Sequence, residues 1–479
     1  MGLSDKMFKG VAWSAIERLS MQTVQFIIGI VLARILTPHE YGIIGILYVF
    51  IAISQVFIDS GFTKALIQKQ DRTEVDISTV FYFNIAIGIF SYIVLWISAP
   101  FIQDFYNIQE LSLLLKVIAL SLVINSLFTV PVTLYTIKLD FKVLTKVNFL
   151  AAIISGGAAV YLAYSGFGIW ALVAQFLIRS IVTALLIWFR LKWRPSNTFS
   201  KESLKQLFSY GSNLLVSSLL NTGVNKSYEL VIAKMNSTTD LGYYSRGTQF
   251  TDFIFGIISS VLNRVLLPGL ATIQDQKEVL VSHVRSIIKM TSLVIIPIFL
   301  LLGILAEPII KVILTDKWLP AVPIMQIFCF ARFITTISTV NVNLLYVIGR
   351  TDLALKQQYV KIGVRIIFFL LAFKFGIIYI ALAELASTIV HFFINTYYPG
   401  KIMNYGAVQQ IKDMSKLIAV AVIIGFSSYY LMDLIPNNYL KITLIALLTF
   451  ALYFGLLIFL KVPEYFILLN KLKSFTKKG

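Results

Sequence analysis

Cysteine and charge are what this sequence has least of. A single cysteine among 479 residues, Cys329, excludes an internal disulfide framework and any metal site built on clustered thiolates. Charged residues make up 13% of the chain against 58% hydrophobic, where a soluble domain carries about 25% charged residues. The class this leaves is an integral membrane protein. Acids are scarcer than bases, 23 against 41, which gives a net charge of +18. Basicity of that size can serve nucleic acid, but no soluble segment exists on which to display it. The expectation is instead that Lys and Arg load the cytoplasmic loops, with no nucleic-acid partner. Enzyme signatures are missing too. There is no G-x-x-x-x-G-K-[ST] phosphate loop, no H-E-x-x-H and no G-x-S-x-G, so transport driven by ATP on this chain is not expected. The opening M-G-L-S-D-K-M-F-K-G has no small-residue cleavage site and reads as the lead-in to a retained span.

Long apolar runs are what the sequence has in quantity. Runs sufficient to cross about 30 Å of hydrocarbon fall near 8–34, 41–63, 78–102, 112–136, 144–164, 167–189, 206–232, 242–269, 284–312, 320–347, 354–374, 376–398, 414–435 and 439–461. The expected fold is therefore an all-α polytopic membrane protein of about fourteen transmembrane helices. Placing the N-terminus inside tests the count. Of the 41 Lys and Arg, only Arg34, Lys234, Lys311, Lys317, Lys374 and Lys441 then fall in outer loops, and most of the rest collect in inner segments. That asymmetry predicts two cytoplasmic ends.

Internal repetition organises the spans. A-R-I-L-T-P-H-E-Y-G from Ala33 matches A-K-M-N-S-T-T-D-L-G from Ala233 at Ala, Arg/Lys, Thr/Ser, Glu/Asp and Gly. T-V-P-V-T-L from Thr129 matches T-V-N-V-N-L from Thr339, and Phe167-Gly168-Ile169 matches Phe375-Gly376-Ile377. The nearly equal offsets predict a duplicated six-span unit, both copies oriented alike, as in parallel-repeat transporters. The expected organisation is an N-lobe over 1–190, a cytoplasmic linker over 191–205, a C-lobe over 206–400, and two further spans with a basic tail over 401–479.

Polar stripes run along several of these helices. Arg18, Gln22 and Gln25 share a face of span 1; Asn213, Ser217, Asn221, Asn225 and Glu229 recur along span 7. Arg246, Gln249 and Asp252 stand on span 8, Arg332, Thr335 and Thr339 on span 10, and Glu384, His391 and Asn395 on span 12. At 1.5 Å per residue, Arg18, Arg179, Arg332 and Arg365 lie roughly 15 Å from the ends of their spans. A charge at that depth costs about 3 kcal/mol or more unless it meets a partner or a wet cavity. Within the spans Arg18, Lys116, Arg179, Lys226, Arg246, Arg264, Arg332 and Arg365 outnumber Glu17, Asp59, Glu229, Asp252 and Glu384. A net basic interior favours an anionic cargo, and arginine suits phosphate because its planar fork donates two hydrogen bonds. The plainer reading of any one Ser, Thr or Asn is helix–helix hydrogen bonding, and of a lone Lys near a span end, snorkelling. The stripes together predict a shared hydrophilic cavity lined by Arg18, Gln22, Gln25, Arg179, Asn221, Asn225, Arg246, Gln249, Arg332 and Thr339. Asp59, Asp252, Glu384 and His391 are the candidates for proton or Na+ coupling. No catalytic residue, resident metal or cofactor is expected.

The stretches G-V-A-W-S-A-I, V-L-A-R-I-L-T-P-H-E-Y-G, D-S-G-F-T-K-A-L-I-Q-K and N-R-V-L-L-P-G-L-A-T-I-Q-D resemble Wzx-type polysaccharide exporters. The similarity is strongest to their colanic-acid and teichuronic-acid branch, within the multidrug/oligosaccharidyl-lipid/polysaccharide flippase superfamily. The resemblance implies two six-helix lobes in a V around a central cavity, with two extra C-terminal helices. It also implies a bacterial inner-membrane flippase that moves isoprenoid-diphosphate-linked oligosaccharide from the inner to the outer leaflet. Membrane lipids and polysaccharide polymerase or assembly proteins are the implied partners. Related flippases use a cavity arginine in the first span, the position of Arg18. The alternatives are a cation-coupled multidrug antiporter of the same superfamily, which would favour an acid-dominated cavity, and a membrane-embedded polysaccharide-assembly enzyme.

Overall fold

The computed structural model describes residues 20–59 and 62–466, and every regular element among them is a helix. The chain divides into two compact units, one through Gly242 and one from Tyr243. The first holds α1 (Ser20–Ile35 in its described part), α2 (Pro38–Asp59), α3 (Phe62–Gln68), α4 (Glu74–Tyr106), α5 (Leu111–Ile137), α6 (Phe141–Tyr164), α7 (Trp170–Arg190) and α8 (Lys201–Met235). It ends in the first turn of α9 (Thr238–Ala271). The second unit continues α9 and adds α10 (Lys277–Ile304), α11 (Ala306–Ile313), α12 (Val322–Val347), α13 (Thr351–Ala372), α14 (Ile377–Met403), α15 (Ala407–Asp433) and α16 (Asn438–Phe459).

Helices occupy the described parts of the fourteen expected spans, α2 with α3 covering the second and α10 with α11 the ninth. Ten are long and apolar enough to cross a membrane by length and composition. The chain is a multi-pass membrane protein. The helices α8, α9 and α13 are long but not among the ten. Their hydropathy is diluted by the polar stripes themselves: Lys226 and Glu229 on α8, Arg246, Gln249 and Asp252 on α9, Lys361 and Arg365 on α13.

The duplication has a physical signature. At the start of α2, Thr37 and Glu40 form a capping box: the Glu40 carboxylate accepts from the Thr37 amide at 2.7 Å and the Glu40 amide donates to the Thr37 hydroxyl at 3.3 Å. Two hundred residues on, Ser237 and Asp240 pair at the start of α9, with the Asp240 amide on the Ser237 hydroxyl at 3.0 Å and that hydroxyl on the Asp240 carboxylate at 2.8 Å. The glycines match for a steric reason. A Cβ on Gly42 would stand 1.7 Å from the Thr238 carbonyl oxygen, and one on Gly242 would stand 1.9 Å from the Pro38 carbonyl oxygen. The first turns of α2 and α9 meet backbone to backbone, reciprocally, and only glycine permits that approach. The seam is completed by His39, whose Nδ1 lies 2.6 Å from the Thr238 hydroxyl.

Within the first unit α8 packs on α2, α3 and α4, although the sequence places it at the head of the second lobe. The chain leading into α8 is tied to the start of α4. Asp76, 1% exposed, pairs with Lys69 at 2.8 Å and accepts from Ser203. The Ser200 amide donates to the Thr79 hydroxyl at 3.0 Å, and the Trp193 indole to Glu74 at 2.8 Å. In the second unit α15 is joined to α12 by a reciprocal amide pair. Asn341 donates to Gln410 at 3.0 Å and Gln410 to Asn341 at 2.7 Å, both side chains fully buried.

Candidate functional site

The first unit presents a guanidinium without a carboxylate. Arg179 stands mid-way along α7, and no Asp or Glu oxygen among the described residues lies within ion-pair distance of it. Its partner is an amide from α1. With the Gln25 side chain oriented oxygen-first, it accepts from both terminal guanidinium nitrogens, at 3.0 Å from Nη2. Tyr48 on α2 lies within electrostatic reach of the same group. One turn before Gln25, the side-chain oxygen of Gln22 is buried and meets no donor among the described residues. One residue of the predicted first-span stripe, Gln25, thus meets an arginine from the sixth span, with Gln22 one turn before it on the same helix. Arg18, the third member, lies outside the described residues.

Helices α2, α3, α5, α7 and α8 line a cavity of about 660 Å³, to which α3 contributes Thr63 and Lys64. Asp59, Gln55 and Asn125 line it as a hydrogen-bonded chain: Asn125 donates to the Gln55 oxygen at 2.9 Å, and Gln55 donates to Asp59 at 2.9 Å. Tyr48 and Phe176 form another part of the wall with ring centroids 5.3 Å apart. Lys226 reaches the cavity from α8 while paired with Glu229 on its own helix. Sequence reasoning found Asp59 but missed Gln55, Asn125, Tyr48 and Phe176. The available signal was spacing: Gln55 and Asp59, and Asn125, Thr129 and Thr133, each recur every fourth residue on helices that are otherwise apolar. Asn221 and Asn225 stand on α8, and their side chains lie outside the described set.

The second unit matches two of its intramembrane arginines with carboxylates. Arg332 on α12 meets Asp252 on α9 at 2.5 Å, its guanidinium 5.2 Å from the Phe328 ring centre and 5.4 Å from that of Phe255. Arg365 on α13 meets Glu384 on α14 at 2.9 Å, and Glu384 is also within electrostatic reach of Arg332. The four residues form an alternating row, Asp252–Arg332–Glu384–Arg365, across four helices. His391, about two turns along α14 from Glu384, places Nε2 3.0 Å from the Lys361 carbonyl oxygen. Arg246 donates to Gln249 at 2.5 Å. Thr339 donates its hydroxyl to the Thr335 carbonyl at 3.0 Å, so this side chain satisfies its own helix. The cavity of about 530 Å³ between α10, α12 and α15 is walled by apolar side chains such as Phe299, Phe330 and Phe426. Among the described residues no group of His, Cys, Asp and Glu could hold a metal ion.

The arrangement can hold an anion against Arg179, with the Gln25 amide beside it, while Arg332 and Arg365 of the second unit are matched by Asp252 and Glu384. The fold is shared with the lipid II flippase MurJ in an inward closed conformation, at a TM-score of 0.76 and 16% identity over 94% of this chain and 99% of that one. It is shared as well with an inward-facing multidrug resistance MATE transporter of the MOP superfamily, at 0.57 and 16% identity over 82% of this chain and 100% of that one. Among sequences, the teichuronic acid biosynthesis protein TuaB of Bacillus subtilis is 26% identical over 74% of this chain and 73% of its own length. The lipopolysaccharide biosynthesis protein WzxC of Escherichia coli is 23% identical over 75% and 74%. Residues 31–323 match the polysaccharide biosynthesis protein family, and the chain belongs to that family.

Proposed function

We propose that this protein is a flippase that carries isoprenoid-diphosphate-linked oligosaccharides from the inner to the outer leaflet of a bacterial cytoplasmic membrane, for assembly of a cell-surface polysaccharide. The observation that carries the proposal is Arg179: an intramembrane guanidinium held by the Gln25 amide, with no carboxylate beside it among the described residues. An isolated charge at that depth costs about 3 kcal/mol or more, and a diphosphate supplies the missing counter-charge in a geometry that the planar fork matches with paired hydrogen bonds. The Gln22 oxygen, buried without a donor among the described residues, is an acceptor for a sugar hydroxyl. The polyprenyl tail stays in the bilayer while the two repeats exchange access, as in other transporters built from parallel repeats. Arg18, four residues before Gln22, serves the same anion in this reading.

A cation-coupled drug antiporter would keep intramembrane carboxylates ready for a cation. Here Asp252 and Glu384 are each neutralised by an arginine of a neighbouring helix, which supports the flippase. Asp59, hydrogen-bonded to Gln55, is the carboxylate we assign to a coupling proton or Na+. Polymerase and assembly proteins would receive the exported unit.

Reconstitution tests the reading. Proteoliposomes loaded with undecaprenyl-diphosphate-linked oligosaccharide should show protein-dependent exposure of the glycan on the opposite leaflet. Gradient-driven extrusion of an organic cation, with no glycan exposure, would replace the flippase by the antiporter.

A further inference from the structure

The polar cavity of the first unit has no place in a site made of Arg179 and its amides alone, and its lining has a definite chemistry. We infer that it is a saccharide subsite that receives a pyranose ring of the cargo next to the lipid diphosphate. The inference rests on the flippase reading and adds to it where, and by which groups, sugar is held.

Direction is the first argument. The chain Asn125 to Gln55 to Asp59 fixes both amides, because each donor is committed toward the carboxylate. What remains presented is complementary at close range: the second hydrogens of the two amides as donors, the Asn125 oxygen and the second Asp59 oxygen as acceptors. A hydroxyl both donates and accepts, so adjacent hydroxyls of a sugar ring can satisfy such a row, whereas a phosphate, an acceptor only, cannot donate to the Asp59 and Asn125 oxygens, and the two cations of the lining already have partners, Lys64 within electrostatic reach of Asp59 and Lys226 paired with Glu229. The second argument is the aromatic part of the wall. Tyr48 and Phe176, 5.3 Å apart and tilted by 39°, add aromatic surface to the lining against which the C–H side of a pyranose can pack. Size is the third: about 660 Å³ lies within the roughly 300–1,000 Å³ of small-molecule sites.

Position makes the subsite part of the transport path. Phe176 precedes Arg179 by three residues, one turn of α7, and Tyr48, which lines the cavity, is within electrostatic reach of that guanidinium. A diphosphate on Arg179 and a sugar between Tyr48, Phe176 and Gln55 are therefore neighbours along one helix, as the two parts of the lipid-linked sugar are neighbours along one molecule.

The test separates sugar from diphosphate. Affinities of the purified protein in nanodiscs are measured for undecaprenyl diphosphate and for the same lipid carrying glucose, galactose or N-acetylglucosamine. Wild type should bind the best glycosylated member more tightly than the bare lipid. Gln55→Ala and Asn125→Ala should each erase about five- to tenfold of that preference, one or two hydrogen bonds' worth, and leave affinity for the bare lipid unchanged, which also certifies folding. Arg179→Ala should weaken both lipids alike. A preference that survives both amide substitutions, or a wild type that does not distinguish glycosylated from bare lipid, overturns the subsite and leaves the diphosphate reading standing. Failure to bind the bare lipid at all overturns the flippase reading beneath it.

Discussion

The reciprocal seam between α2 and α9 makes a quantitative prediction. Introducing Gly42→Ala puts a methyl carbon 1.7 Å from the Thr238 carbonyl oxygen, and Gly242→Ala puts one 1.9 Å from that of Pro38. Ordinary contact is about 3.5 Å, so either methyl forces the two first turns apart by roughly 1.5–2 Å. Over-packing of this kind costs about 1–3 kcal/mol. It reverses the usual sign of a helical Gly→Ala change, which gains up to about 1 kcal/mol where nothing is in the way. Gly157 on α6, with nothing within 4 Å of its would-be Cβ, is the internal control and should be stabilised. The two seam substitutions act through one displacement, so the double variant should cost little more than the worse single variant. Such coupling is the mark of residues in contact. Thermal unfolding in detergent, followed by tryptophan fluorescence across the four proteins, measures this. Fully additive losses, or a seam variant that behaves like Gly157→Ala, would refute the backbone-to-backbone contact.

The buried amide pair should show a similar non-additivity. Asn341→Leu leaves the fully buried Gln410 short of its reciprocal partner and should cost about 1–3 kcal/mol, while Asn341→Leu with Gln410→Leu should recover much of the loss, read by the same unfolding assay. Glu384→Ala removes the carboxylate that Arg365 meets at 2.9 Å. A broken buried pair costs about 3–5 kcal/mol, so folded yield should fall steeply, and Glu384→Ala with Arg365→Met should restore it.

Much of this architecture is legible in the sequence because it is periodic. Fourteen apolar runs, and the offset of 200 linking Thr37, Glu40 and Gly42 to Ser237, Asp240 and Gly242, need only local rules: hydropathy, capping boxes, and a glycine where backbones touch. Convergence of Gln22 and Gln25 on one face was likewise written in their spacing. Pairing across helices was not. Arg332 and Asp252 are 80 residues apart, and a count of interior charges gives their excess without telling which cations are already matched, whereas the fold pairs these two locally. Thr339 shows a different limit. Its place on a polar stripe suggests a ligand, but a threonine hydroxyl can turn back to the carbonyl four residues earlier, and here it does. The Gln55–Asn125 contact joins α2 to α5 over 70 residues, and no helix-by-helix reading reveals that the two amides face each other.

The central claim is that the charge which receives the cargo diphosphate is Arg179, and that the arginine of the Asp252–Arg332 pair holds the fold together. Translocation of undecaprenyl-diphosphate-linked oligosaccharide in proteoliposomes tests it directly, comparing wild type, Arg179→Ala and the neutral double variant Asp252→Asn with Arg332→Gln. The account predicts that Arg179→Ala, although folded, loses at least tenfold in rate, while the double variant keeps the same order of activity as wild type. Full activity in Arg179→Ala, with activity lost in the folded double variant, would contradict it and move the anion site to the second unit.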